Sequence, residues 1–174
     1  MEILEKITKT REYLDYLEEH ALNVQLAWEE LKMKCQDMRF IWDDFIFFSI
    51  DAEIKNHDMS KMSQYEFIQY RRVFFPTELE AKSGKYSMYA AWEHHKKHNL
   101  HHWESWTKNI SLWGNNPYKW EIHCVHMVVD WMAMAYKKGD TAEQYFEANK
   151  DKINIPEYAI RFIYEIFGRL KEED

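Results

Sequence analysis

At 174 residues the chain is long enough for one proper hydrophobic core and short for two. Its 46% apolar and 17% aromatic content, with eight Trp, excludes a disordered segment despite 30% charged residues. A formal charge of −7 excludes a surface built to grip long nucleic acid, which requires clustered Lys and Arg.

Four Gly and three Pro, in a chain rich in Ala, Leu, Glu, Lys and Met, predict an all-α fold. The expectation is a single helical domain of about six to eight helices over residues 1–174. The opening stretch, MEILEKITKTREYL, is amphipathic and carries acids, unlike a signal or transit peptide. No apolar run approaches the roughly 18 residues that span a bilayer, so no membrane partner is expected. Cys35 and Cys124 sit in helical, apolar contexts and read as reduced thiols. A cytoplasmic protein is the expectation.

The first helix is predicted from about Thr10 to Lys34, where Tyr13, Tyr16, Leu17, Val24, Ala27 and Leu31 fall at helical spacing. His20 lies in that stripe, and a lone histidine on an apolar face is ordinarily a hydrogen-bonded core residue. A second helix, from about Asp43 to Asn56, carries the stripe Ile46, Ile50 and Ile54 and delivers His57-Asp58 at its end. On a regular helix two adjacent side chains diverge by roughly 100°, so this pair converges only where the helix is ending. Ser63-Gln64-Tyr65-Glu66 is a capping-box pattern that predicts a third helix from Ser63 to Phe75, stopped by Pro76. It carries Tyr65, Tyr70, Arg71 and Arg72. Thr77 to Gly84 reads as a short helix or loop.

The segment from Ala91 to Trp103 holds His94, His95, His98, His101 and His102. On a continuous helix His94, His98, His101 and His102 share one side, and His95 shares a side with His102. Asn99 is placed to break that helix and leave His101 and His102 in a loop. A solvated His-rich face is the ordinary explanation of such a run. After the loop Gly114-Asn115-Asn116, Pro117 is placed to open a helix that runs to Lys138 and ends at Gly139. On it His123, His126 and Asp130 stand at i, i+3 and i+7, within about 60° of one another. An Asp amid Val128-Val129-Asp130-Trp131-Met132 is costly to bury unless it pairs with a cation or binds a metal. Asp140, with Glu143, is expected to cap a further helix, and a last one begins near Pro156.

His20, His57-Asp58, the histidines of 94–102 and Asp130 each come from a different predicted helix that otherwise carries core residues. A metal site inside a helical bundle needs that distribution, since one helix offers only two or three facing ligands. An imidazole and a carboxylate together suit Mn, Fe, Co or Zn better than Ca.

The order His … His-Asp … (His … His) … Asp in an all-helical chain resembles the HD-domain superfamily of metal-dependent phosphohydrolases. That resemblance implies an HD-like bundle in which His20, His57, Asp58 and Asp130 are the core metal ligands. It implies His94, His101 and His102 as additional ligands, for one or two divalent ions among Mn, Fe, Co, Zn and Mg. Lys61 matches the lysine of the HD-x-x-K variant, beside the substrate phosphate. The chain also resembles a family of small bacterial and phage proteins with no activity attached. The matching residues there are His57-Asp58-x-Ser60-Lys61, Tyr70-x-x-x-Phe74-Phe75, Asn99-x-His101-His102-Trp103-Glu104 and Asp130-Trp131-x-Ala133-Met134.

The resulting expectation is a hydrolase of a small phosphorylated molecule, a nucleotide or cyclic nucleotide. Asp58, Lys61 and His94 take the catalytic roles, while Arg71, Arg72, Tyr65 and Trp103 bind substrate. Two alternatives stand beside it. One is an HD-type diiron oxygenase; the other is a non-catalytic metal- or ligand-binding protein of phage origin. A homo-oligomer is left open.

Overall fold

A computed structural model describes residues 2–109 and 119–172. Among the described residues the regular structure is ten α-helices and one 3-10 turn, with no strand. The all-α expectation holds, with more helices than the sequence pattern separates. Short helices such as α2 (Arg39–Trp42) and α5 (Glu78–Ser83) are too brief to show a period of their own. None of the described helices is long and apolar enough to cross a membrane.

The long first helix, α1 (Glu2–Lys34), starts eight residues before the expected start at Thr10. Glu2 and Glu5 lie in its first turn, where negative charge is favoured by the helix dipole. The chain forms two compact units, Met1–Ala21 with Asp58–Asn99, and Leu22–His57 with Leu100–Asp174. The chain passes from one unit to the other at three peptide bonds, and one of them is His57–Asp58.

In the first unit, Tyr13 of α1, Tyr70 of α4 (Phe67–Phe74) and Ala91 of α6 (Tyr89–His98) form a small core. Tyr16, Leu17, Phe67, Phe75 and Met88 pack around it. The helix expected from Ser63 begins instead at Phe67, and Ser63 ends a 3-10 turn, Met59–Met62. The physical reason is Glu66. Its carboxylate takes bonds from two histidines and does not reach back to the Ser63 amide. The capping box in this unit is Thr77 with Glu80, at the start of α5. Glu80 also holds Arg71 through two bonds of 2.5 and 2.6 Å, deep in the unit. Helix α6 stops at His98. Asn99 turns extended there, and its side-chain amide donates to the His95 carbonyl at 2.9 Å.

In the second unit the central element is α8 (Lys119–Lys138), with thirteen of its twenty residues buried. A helix buried on nearly every side belongs in the middle of a core. Val125, Val128, Val129 and Met132 join Val24, Ala27 and Leu31 of α1 and the predicted stripe Ile46, Ile50 and Ile54 of α3 (Asp44–Lys55). Ile163, Ile166 and Phe167 of α10 (Glu157–Lys171) complete it. Asp43 caps α3 by accepting from the amides of Phe45 and Ile46. Helix α8 ends at Gly139, at φ 76, a conformation that only glycine adopts without strain. Pro117 and the preceding loop lie outside the described residues. Helix α9 (Ala142–Asn149) is capped by Thr141 with Gln144, one residue later than the expected Asp140 and Glu143. Thr141 wins because its hydroxyl reaches the Gln144 amide at 3.1 Å while the Gln144 side chain answers the Thr141 amide. Cys35 and Cys124 are both buried and form no disulfide.

Candidate metal centre

The site begins where α3 runs out. Asn56 ends the helix, and Asp58 takes a left-handed backbone conformation at φ 54. It is the one non-glycine residue at positive φ among the described residues. Holding an L-residue there costs about 1 kcal/mol or more, although Asp pays less than most. Such local cost concentrates at functional positions.

The 3-10 turn after Asp58 folds Lys61 back onto it. The Lys61 amide donates to the Asp58 carbonyl at 2.8 Å, and Lys61 Nζ lies 2.5 Å from Asp58 Oδ2. His95 Nε2 sits 3.1 Å from the other oxygen, Oδ1, and His20 Nε2 lies 3.8 Å from Oδ2. The His20 ring stacks parallel to Tyr16. Behind His95 stands Glu66, with no solvent exposure at all. Its Oε2 is 2.8 Å from His95 Nδ1, and its Oε1 is 2.6 Å from His94 Nδ1. Trp92 stacks on the His95 ring while Tyr70 meets it edge-on, which fixes the ring plane.

These contacts set the electrostatics. Burial pulls the His95 imidazole toward neutrality, but the carboxylates of Asp58 and Glu66 outweigh it and raise its pKa. Burial alone would raise the Glu66 carboxyl, yet the bonds from His95 and His94 bring it below its usual range. In metal-free protein the row Asp58, His95, Glu66 therefore favours a charged imidazolium between two carboxylates.

The second unit carries its own array. His57 leaves the end of α3 with Nε2 3.5 Å from Asp130 Oδ1 and Nδ1 2.8 Å from His126 Nε2. His126 turns its other nitrogen, Nδ1, toward Glu53 Oε2 at 3.6 Å. His101 lies between them, with its ring centroid 4.7 Å from that of His57 and 4.2 Å from that of His126. One nitrogen from each of His57, His101 and His126 falls within 4.8 Å of the others. The loop that presents His101 is pinned by buried Trp106, whose indole N–H donates to the Leu100 carbonyl at 2.8 Å. The His102 ring packs against that of His101 at a tilt of 43°. One turn before His126, His123 is buried with neither ring nitrogen hydrogen-bonded. Burial holds its pKa down to about 4, so it is neutral. Burial likewise lowers that of His126. The Glu53 carboxyl stays below its usual range through its interaction with His126.

These buried His and Asp clusters could hold a metal ion. Neutral imidazoles and carboxylates in this mix suit a borderline divalent cation. Comparison with protein-family models settles membership without settling chemistry. Residues 9–168 match the family of unknown function DUF5662. The chain belongs to that family. No curated protein and no solved structure matches it.

Several residues singled out by the sequence have other engagements. Arg71 is buried and bound bidentately by Glu80, which ties α4 to α5 and leaves its guanidinium committed. Arg72 reaches Glu80 at 3.4 Å and covers the Tyr86 ring, with part of its side chain in solvent. Tyr65 is exposed and stacks on His94, and Trp103 packs partly buried against the larger core. His94 meets Glu66, so it is His95 that faces Asp58. Because α6 stops at His98, His101 and His102 do not share its helical face. His126 and Glu53 were absent from the expected ligand set. The i, i+3, i+7 spacing of His123, His126 and Asp130 was the available signal for the first. No sequence signal marks Glu53, because its role depends on which face of α3 meets α8.

Proposed function

We propose that the chain is a metal-dependent phosphohydrolase acting on a small phosphorylated substrate, a nucleotide or cyclic nucleotide by class. The observation that carries this reading is Asp58. It is held in a left-handed conformation at a helix end, with Lys61 on one carboxylate oxygen and His95 on the other. A cationic group held 2.5 Å from a candidate metal ligand is where the HD-x-x-K resemblance wants its phosphate-facing lysine.

The resemblance assigns the ion to His20, His57, Asp58 and Asp130, and His94, His101 and His102 to a second. Two close pairs, each within its own unit, support it: His20 with Asp58 and His57 with Asp130. When bound, a divalent ion supplies Lewis acidity toward phosphoryl oxygens and ionises water near neutral pH. Lys61 takes up negative charge that develops on the phosphoryl group. His94, whose Nδ1 is given to Glu66, keeps Nε2 for proton transfer to the leaving oxygen. The exposed ring of Tyr65 and the partly exposed Arg72 offer a base and a phosphate their contacts, while Arg71 stays with Glu80.

The test is a screen of nucleotides, cyclic nucleotides and generic phosphodiesters with chain loaded with Mn, Co or Zn, followed by Lys61→Ala on the best substrate. Lys61→Ala is expected to keep its metal and to lose about 10²–10³-fold in turnover, the usual scale for one group that stabilises transition-state charge. Metal-loaded chain that turns over none of these substrates, or Lys61→Ala with full activity, contradicts the reading.

A further inference from the structure

Four groups in the second unit stand in a row: Asp130, His57, His126 and Glu53. The contacts along it are 3.5 Å from Asp130 Oδ1 to His57 Nε2, 2.8 Å from His57 Nδ1 to His126 Nε2, and 3.6 Å from His126 Nδ1 to Glu53 Oε2. A histidine that ligates a metal through one ring nitrogen keeps one N–H, on the other nitrogen. With both protons on the outer nitrogens, each carboxylate faces a donor. The two lone pairs then converge on the middle junction, where a bound cation can accept both. The middle junction is also where His101 presents a nitrogen.

We propose that His57 Nδ1, His126 Nε2 and His101 hold a divalent cation of the zinc or cobalt class, with Asp130 and Glu53 as the carboxylates that orient His57 and His126. Metal-bound histidines usually donate their remaining N–H to a carboxylate, which fixes the tautomer and makes the ligating nitrogen more basic. At both ends of this row a carboxylate oxygen stands 3.5–3.6 Å from the outer nitrogen, on the side from which it can orient the ring. Three imidazoles without a carboxylate in the ligand set favour Zn, Co or Fe over Mg or Ca. Two nitrogens bonded at about 2.1 Å to one ion stand roughly 3.0–3.4 Å apart, so a shift of a few tenths of an ångström from 2.8 Å admits the ion. Three protein ligands leave a coordination position open, as catalytic sites do.

The inference rests on the metal-binding part of the function proposed above and departs from it at Asp130, which becomes an orienting residue, and at His126, which becomes a ligand. The experiment is titration of metal-free full-length chain with Co²⁺, read by its visible d–d absorption, and with Zn²⁺ against a chromophoric chelator. His126→Ala and His126→Gln are expected to lose on the order of 100-fold or more in affinity, together with the cobalt spectrum of the site. Gln fills the space and still bonds to Glu53, so it keeps the fold when Ala does not. Asp130→Asn and Glu53→Gln are expected to keep the stoichiometry and lose about 10–100-fold. Wild-type affinity and spectrum in His126→Gln overturn the site, as does loss of the bound ion in Asp130→Asn alone. A wild-type chain that binds no divalent ion overturns this site and the hydrolase together. Binding as described without phosphoester turnover overturns only the hydrolase.

Discussion

Replacing Glu66 tests how much of the first unit depends on one buried carboxylate. Its side chain has no exposure and accepts from His94 at 2.6 Å and His95 at 2.8 Å. Hydrogen bonds to a charged group contribute about 1.5–3 kcal/mol each, and removing one member of a buried ion pair costs about 3–5 kcal/mol. Glu66→Ala should therefore destabilise metal-free protein by about 3–5 kcal/mol, a large share of the roughly 5–15 kcal/mol typical of folded proteins. Glu66→Gln keeps one acceptor oxygen and should lose about half as much. Urea denaturation followed by far-UV circular dichroism reads both, and at about 2–4 °C per kcal/mol the melting temperature of the Ala variant should fall by roughly 6–20 °C. The pH dependence has a definite sign. Glu66 has a lowered folded pKa, so its contribution is present above the unfolded carboxyl pKa and fades as pH falls below it. His95 has a raised one, so its contribution is present below the unfolded imidazole pKa and fades as pH rises past the folded value. The difference between wild type and Glu66→Ala should thus peak between about pH 4.5 and 6.5. A Glu66→Ala variant within about 1 kcal/mol of wild type throughout that window refutes the reasoning.

The Arg71–Glu80 pair predicts an acid-sensitive step elsewhere in the same unit. Arg71 holds the Glu80 carboxyl down to about 2, so the stabilisation is complete above the unfolded value near 4.5 and disappears as pH falls toward 2. Glu80→Gln should flatten that part of the stability profile, and an unchanged profile counts against the pair. At position 58 the left-handed backbone predicts that Asp58→Gly is more stable than Asp58→Ala by about 1 kcal/mol, because only Gly escapes the steric cost. Both variants lose the carboxylate, so the comparison isolates the backbone; equal melting temperatures would remove the strain.

Much of this was legible in the sequence because it depends on local pattern. The stripe Ile46, Ile50 and Ile54 places α3 correctly, and Asp43 and Asn56 end it where their side chains suggest. Asn99 breaks α6, as its position in the histidine run indicates. The misplacements came where a side chain had a choice of partner. Ser63 to Glu66 has the letters of a capping box, but a buried carboxylate gains more from two imidazole N–H groups than from one backbone amide. Helix face was equally hidden. His94 and His95 differ by roughly 100° around α6, and only packing against Trp92 and Tyr70 decides that His95 faces Asp58. His126 was visible by spacing, yet its value as a ligand depends on Glu53 and His57, which reach it from another helix.

Metal content is the most direct measure of the central claim that buried His and Asp residues of this chain hold a divalent ion. Chain loaded in turn with Mn, Co and Zn, passed through a desalting column and analysed by inductively coupled plasma mass spectrometry should retain about one or two ions per molecule. His57→Ala should retain fewer. Wild-type chain that comes off the column with no stoichiometric ion, or His57→Ala that keeps as much as wild type, contradicts the claim.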